Sequence, residues 1–229
     1  GFPSWGKLEN LNQHVVDACD AADGLADGLI NDIAACQFVP EVLRCWNNID
    51  LGDSCLTDAQ LATVHALSDE MNLSYPMANG ITSAPGYGIL YGANFSGPIN
   101  VGSLNVLLDP PVLGLNGYPA SMHSGYLKDF ITRNPKYPPL SFDPVTGGVW
   151  QARVQAVSAL HDATSVDLSL FVQGGGKILM MHGTSDTIVP FSTSVRYVTR
   201  LRQAMGDAAV DSFLDRKSTR LNSSHEWIS

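Results

Sequence analysis

The chain has 229 residues, of which 45% are hydrophobic and only 15% are charged. That length suits one large domain or two small ones, and no apolar run approaches the roughly 18 residues that a membrane span needs. Thirteen lysines and arginines against 22 aspartates and glutamates give a formal net charge of −9, which argues against a nucleic-acid ligand, because phosphate backbones bind cationic faces.

The N-terminal segment lacks both an initiator methionine and the basic and apolar regions of a signal peptide, so we expect a processed product or a fragment. Leu8, Leu11, Val15 and Val16 recur at helical spacing and predict one short amphipathic helix. From Asp17 to Asp32 this periodicity disappears, and aspartate and glycine dominate.

The middle of the chain combines short helices with irregular structure. Thr57 and Gln60 form a capping box that opens a helix running to about Met71. Residues 75–119 are rich in glycine, proline and asparagine and predict little regular structure. Further helices are predicted over residues 122–132, ending before Asn134-Pro135, and over residues 149–159.

The pattern changes after about Val166. Residues 177–181 are a continuous apolar run, typical of a parallel strand covered on both faces. A helix is predicted over residues 192–205, followed by the start of a second strand at residues 208–213. Strand, helix and strand in this order predict a parallel α/β sheet. We therefore predict an inserted cap over residues 1–166 and part of an α/β core over residues 167–215.

Residues 216–229 differ from both parts. They lack periodicity and resemble translated sequencing-adapter read-through, so we interpret them as a non-native tail rather than as an ordinary polar C-terminus. Without the tail the formal charge is 10 − 21 = −11.

Four cysteines lie in the first quarter of the chain, at Cys19, Cys36, Cys45 and Cys55. Their spacing is not the CxxC pair typical of zinc sites, and their even number favours two disulfides in an oxidising compartment over reduced thiols. Of the three possible pairings, the sequential one closes the shortest loops, and we predict it.

Five aspartates fall between Asp17 and Asp32, with no lysine or arginine between Lys7 and Arg44. Carboxylates so close together repel one another unless they are protonated or bridged by a cation. Oxygen ligands favour Ca²⁺, although the spacing is not that of an EF-hand. The alternative is a loop of Asx turns. The set that the spacing allows is the carboxylates of Asp20, Asp23 and Asp27 with the carbonyls of Leu25 and Leu29.

An apolar strand ends in His182-Gly183 and is followed by Asp186 and Val189-Pro190. This pattern is typical of the acid loop of an α/β-hydrolase, the loop that carries the aspartate of the catalytic triad. The alternative is a polar turn in which Asp186 binds local backbone. We expect His182 to lie under the site rather than to act as the base. The chain contains no Gly-x-Ser-x-Gly motif, and its only histidine after Asp186 is His225, in the tail.

These motifs together resemble the tannase and feruloyl esterase family. The resemblance rests on the aspartate loop from Cys19 to Ile30, the later cysteines with their neighbours, the Asp167-Leu168-Ser169 segment, and the glycine-rich strand that leads to Asp186. Members are secreted serine esterases with an α/β-hydrolase core and a large lid. They cleave tannins, hydroxycinnamate esters and, in one branch, a terephthalate monoester.

The resemblance implies a structural Ca²⁺ on the five residues given above, the bridges Cys19–Cys36 and Cys45–Cys55, and Asp186 as the acid of a Ser-His-Asp triad. The family's serine, in Gly-Cys-Ser-x-Gly-Gly, and its histidine, in His-Cys, are absent here. We therefore expect an internal piece of a secreted or periplasmic carboxylesterase: a partial α/β-hydrolase core with an irregular, mainly helical lid. The piece is expected to be inactive alone, and the substrate of the intact parent to be a small aromatic ester. The alternative function is a non-catalytic, disulfide-stapled calcium-binding module.

Overall fold

A computed structural model describes residues 1–102, 108–112 and 114–219, and of residues 217–219 the backbone only. The first helix, α1, spans Trp5–Cys19, and the hydroxyl of Ser4 caps it by accepting the amide of Lys7 at 3.2 Å. Its buried stripe of Leu8, Leu11 and Val15 confirms the predicted amphipathic helix. Helix α2, Asp58–Ser68, begins at the predicted cap, where the Gln60 side chain accepts the Thr57 amide at 2.9 Å.

Helices α1 and α2 pack together with the segment around Ile89 and Phe95 to form the first core cluster. Two disulfides, Cys19–Cys36 and Cys45–Cys55, hold the loops around this cluster and confirm the sequential pairing. These loops contain short 3₁₀ turns at Asp20–Asp23, Pro40–Leu43 and Trp46–Asn48.

A second cluster lies under a small antiparallel hairpin of β1, Met71–Asn72, and β2, Ser83–Ala84. The helix predicted over residues 122–132 is in two parts, α3 at Tyr118–Gly125 and a π-helical turn at Tyr126–Ile131. Helix α4, Gln151–His161, follows a 3₁₀ turn close to the predicted position. Leu127, Ile131, Val154 and Val157 from these elements pack on Tyr75.

The C-terminal part is a parallel α/β unit, as predicted. It consists of α5 at Ser169–Gln173, β3 at Ile178–Gly183, α6 at Ser192–Met205, α7 at Asp207–Phe213 and β4 at Leu214–Thr219. Strands β3 and β4 pair in parallel from Ile178↔Leu214 to Gly183↔Thr219.

Three details of this unit differ from the sequence-based expectation. Residues 208–213 are helical rather than extended, because Val210 and Phe213, three positions apart, both face a third core cluster, which they form with Val198, Leu201 and Leu214. Strand β3 is covered on one face only among the described residues, since Leu179 and Met181 are 68% and 57% exposed. The backbone of β4 also continues into the segment interpreted as a tail, although the non-native origin of that segment stays a prediction. His225 lies outside the described residues.

Candidate active site

The acid loop, residues 183–190, leaves the carboxyl end of β3, where catalytic groups of open α/β sheets collect. The Oδ1 atom of Asp186 accepts the amides of Ile188 and Val189 at 2.8 and 2.9 Å. The side chain is 35% exposed. These two bonds fix the carboxylate orientation through Oδ1, while the second oxygen, Oδ2, lies 3.5 Å from Nε2 of His182.

His182 lies beneath this loop with both ring nitrogens engaged. Its Nε2 is 3.1 Å from the carbonyl oxygen of Val189 and 3.5 Å from Oδ2 of Asp186, and its Nδ1 is 2.7 Å from Oγ of Ser194. Because a carbonyl only accepts, Nε2 carries a proton and donates to Val189, while Nδ1 shares a hydrogen bond with the Ser194 hydroxyl. The side chain is 14% exposed. In this geometry His182 holds the loop by hydrogen bonds.

A distant segment, residues 86–100, covers one side of the acid loop. The Tyr87 hydroxyl donates to the carbonyl of Ile188 at 3.4 Å, and the Thr187 hydroxyl donates to Oδ1 of Asn100 at 2.6 Å. Gly88 is needed for this approach, because a Cβ there would lie 2.5 Å from the ring of Tyr91 and 3.2 Å from the carbonyl oxygen of Thr184.

The aromatic side chains of this segment divide between the site and the core. Tyr91 meets Phe191 edge to face at 5.6 Å, next to the acid loop, whereas Phe95 is only 4% exposed and packs on Tyr87. Burial raises the pKa of Tyr87, and the negative charge of Asp186 raises it further, so the phenol stays protonated at neutral pH. The only sequence signal for this contact is the pair Gly86 and Gly88 within an irregular region.

In the aspartate loop, the carboxylates bind backbone amides of the same loop. Asp20 accepts the amides of Gly28 and Leu29 at 2.9 and 3.0 Å, and Asp27 shares the Leu29 amide at 3.0 Å. Asp23 accepts the amides of Leu25 and Asn31, both at 3.0 Å, and these bonds lower its pKa. The Asx-turn alternative predicts this type of bonding.

The same loop does not form a ready metal site in this conformation. Within the described ranges, no three histidine, cysteine, aspartate or glutamate side chains converge closely enough to hold an ion. Asp20 and Asp27 do approach the same amide, so two of the three predicted ligand carboxylates lie on one side of the loop. Calcium binding at Asp20, Asp23, Leu25, Asp27 and Leu29 therefore requires the carboxylates to move closer together than they are in this conformation.

The parallel β3–β4 pair, the crossover helices between them and the acid loop define one end of an α/β-hydrolase-like fold. The model for the family described as tannase and feruloyl esterase matches residues 1–216, and the chain belongs to this family. No helix among the described elements is long and apolar enough to cross a bilayer.

Similar proteins agree with this assignment. An uncharacterized esterase of Agrobacterium fabrum is 30% identical over 213 residues, which cover 90% of this chain and 38% of that protein. A probable feruloyl esterase B-2 of Aspergillus fumigatus is 24% identical over 201 residues, which cover 86% of this chain and 33% of that protein. The crystal structure of feruloyl esterase B from Aspergillus oryzae shares the fold, with a TM-score of 0.71 and 22% identity. The match covers 95% of this chain and 40% of that one. The chain thus spans about a third of the length of these curated relatives.

Proposed function

We propose that the intact protein is a carboxylic ester hydrolase acting on gallate, hydroxycinnamate or related aromatic esters, with Asp186 as the acid of a Ser-His-Asp triad. The observation that carries the proposal is the fixed carboxylate of Asp186 at the end of β3, in a chain of this family. Turnover of a ferulate or gallate ester by the protein from the uninterrupted reading frame tests it, and no turnover contradicts it.

The proposed chemistry is acyl transfer. The serine hydroxyl attacks the ester carbonyl while a histidine takes its proton and then gives it to the leaving alkoxide. Water then hydrolyses the acyl-enzyme by the same route. Asp186 keeps the imidazole oriented and stabilises its charged form. Since these 229 residues hold no Gly-x-Ser-x-Gly motif, and their only histidine after Asp186 is His225 in the tail, we place the nucleophile and the base outside them and expect this chain alone to show no turnover.

In this proposal, residues 1–166 act as a lid. Support comes from the hydrogen bonds of Tyr87 and Asn100 to the acid loop and from the edge-to-face contact of Tyr91 with Phe191, the residue that follows this loop. We also propose that the protein is secreted or periplasmic, because its two disulfides persist only in an oxidising compartment.

We further propose that the aspartate loop binds Ca²⁺ and that the ion is structural. Five aspartates within 16 residues repel one another, and Asp20 and Asp27 already converge on one amide. Ca²⁺ at a hundredfold excess over Kd is then expected to stabilise the fold by about 2.7 kcal/mol.

Thermal melting with chelator and then with Ca²⁺ checks this expectation. Asp23→Asn is expected to abolish the calcium-dependent rise in Tm. Asp32→Asn is the matched control, because Asp32 also accepts a loop amide, that of Ala35 at 3.1 Å, yet is outside the proposed ligand set. A Tm that does not respond to Ca²⁺, or an equal response in both variants, contradicts the site and leaves the Asx-turn interpretation.

A further inference from the structure

A cavity of about 740 Å³ lies between the β1–β2 hairpin and the helices α3 and α4. None of its described lining residues belongs to the acid loop. Its volume is in the range of small-molecule sites. Three of the chain's six methionines line it, Met71, Met77 and Met122, and their polarizable thioethers adapt to flat ligands.

One rim of this cavity is an exposed aromatic cluster. The rings of Tyr126 and Phe130 stack at 5.5 Å with an interplanar angle of 30°, and the His161 ring meets both edge-on. Tyr126 and Phe130 are nevertheless 39% and 45% exposed, and Met122, one turn earlier, is 51% exposed. Contiguous apolar side chains left open to solvent beside a cavity commonly mark a binding site.

The permanently charged groups of the lining are acidic, beside the imidazole of His123. The lining contains the carboxylates of Asp129 and Asp162, and no lysine or arginine is among the described residues that line it. Asp162 accepts hydrogen bonds from Thr164 and Asn79, and these bonds lower its pKa, with a smaller contribution from the positive charge of Arg200. Asp129 forms no ion pair within the described part of the chain and stands between the two stacked residues in sequence.

We propose that this cavity binds an organic cation, an ammonium group attached to an apolar or aryl body. Ring faces, thioether sulfurs and the carboxylate of Asp129 all present negative potential, and a cation over aromatic faces is attracted by the ring quadrupoles. The two carboxylates repel an anionic ligand. A neutral aromatic molecule gains the apolar contacts but not the electrostatic ones. Binding of a cation in this cavity is independent of the proposed ester hydrolysis, because no described residue of the acid loop lines the cavity.

Three probes of similar size and different charge test the proposal on the 229-residue chain: benzyltrimethylammonium, benzyl alcohol and benzoate. Calorimetric titration gives their affinities, and the N-methyl proton shifts of the cation report on its contact with aromatic rings. We expect affinity to fall in the order cation, neutral alcohol, anion. Equal binding of cation and alcohol, or binding with no upfield shift of the N-methyl protons, overturns the proposal.

Two variants locate the site. Phe130→Ala is expected to weaken cation binding roughly two- to thirtyfold, the range of one cation–π contact. Phe2→Ala is the matched control, since Phe2 is 41% exposed and does not line the cavity. Asp129→Asn keeps the shape of the side chain and removes its charge. It is expected to lower the affinity for benzyltrimethylammonium but not the affinity for benzyl alcohol. If Phe130→Ala does not fold, the cation affinity of Asp129→Asn tests the proposed site by itself. Unchanged cation affinity in Asp129→Asn, or equal losses in Phe130→Ala and Phe2→Ala, contradicts the site.

Discussion

Asp186→Asn in the intact protein is expected to lower kcat for an aromatic ester by about 10⁴-fold with little change in KM. Asparagine retains the Oδ1 acceptor, so the amides of Ile188 and Val189 keep their bonds and the loop keeps its shape. What is lost is the negative charge and the second acceptor at Oδ2, which the proposed triad needs to orient and stabilise a protonated imidazole.

Asp143→Asn is the matched control for this experiment. Its Oδ1 accepts the amide of Val145 at 2.9 Å and its Oδ2 accepts the Thr146 hydroxyl at 2.6 Å, so it caps a comparable turn outside the acid loop. Activity close to that of the wild type is expected in Asp143→Asn. If Asp186→Asn retains a similar activity, or if both variants fail equally, Asp186 is a turn-capping residue and not the triad acid.

His182 requires a separate variant, because its Nε2 already lies 3.5 Å from Oδ2 of Asp186. In the described geometry its Nε2 donates to the Val189 carbonyl and its Nδ1 is hydrogen-bonded to the Ser194 hydroxyl, which suits a residue that holds the loop. We expect His182→Gln to lower kcat and Tm together, and to lower kcat less than Asp186→Asn does. A loss of kcat equal to that of Asp186→Asn, with unchanged Tm, makes His182 the base instead.

Local sequence patterns were sufficient for most elements of the fold. The capping box of Thr57 and Gln60 marks the start of α2, and α6 ends at Met205 because Gly206 follows with a φ of 85°, in the region that favours glycine. The error at residues 208–213 has a local cause as well. The segment is short and apolar enough to suggest a strand, but Val210 and Phe213, three positions apart, share one face only in a helix, and both pack against Val198 and Leu201 of α6.

The covering of the acid loop could not be predicted in the same way. Thr187 and Asn100 are 87 residues apart, and Tyr87 and Ile188 are 101 apart, so no periodicity links them. The exposure of one face of β3 could not be predicted either, because it depends on which elements pack against the strand and not on the apolar residues of the strand itself. The residue type and spacing identified Asp186 as a candidate, but its environment depends on contacts that only the folded chain defines.

Lys7→Met is expected to lower the free energy of unfolding by about 2–4 kcal/mol, because it leaves two carbonyl acceptors without a charged donor. Lys7 is only 4% exposed, unusual for a lysine. Its ammonium donates to the carbonyl of Gly52 at 2.6 Å and to that of Cys55, and it lies 3.1 Å from Oδ1 of Asp50. One side chain thus joins α1 to the loop closed by Cys45–Cys55.

Asp50 adds a pH dependence to this contact. Its pKa is lowered first by the hydrogen bond from Lys7, so its contribution to stability is present above the ordinary aspartate pKa and is lost as pH falls through the lowered one. Removing Lys7 removes this contribution, and the stability of Lys7→Met is therefore expected to fall less steeply on acidification than that of the wild type. Melting curves between neutral pH and pH about 3 measure the difference.

Lys177→Met is the control for the loss of a lysine as such. Lys177 also donates to a carbonyl, that of Ser212 at 2.6 Å, but it does so at the surface, where water replaces it. Under non-reducing conditions we expect Lys7→Met to lower Tm by roughly 5–15 °C and Lys177→Met to leave it nearly unchanged. Equal Tm values for the two variants contradict a structural role for the buried ammonium. The loop around Cys45–Cys55 then depends on its disulfide, on the packing of Leu56 and on the backbone hydrogen bonds that Leu56 makes with Leu43 and Cys45.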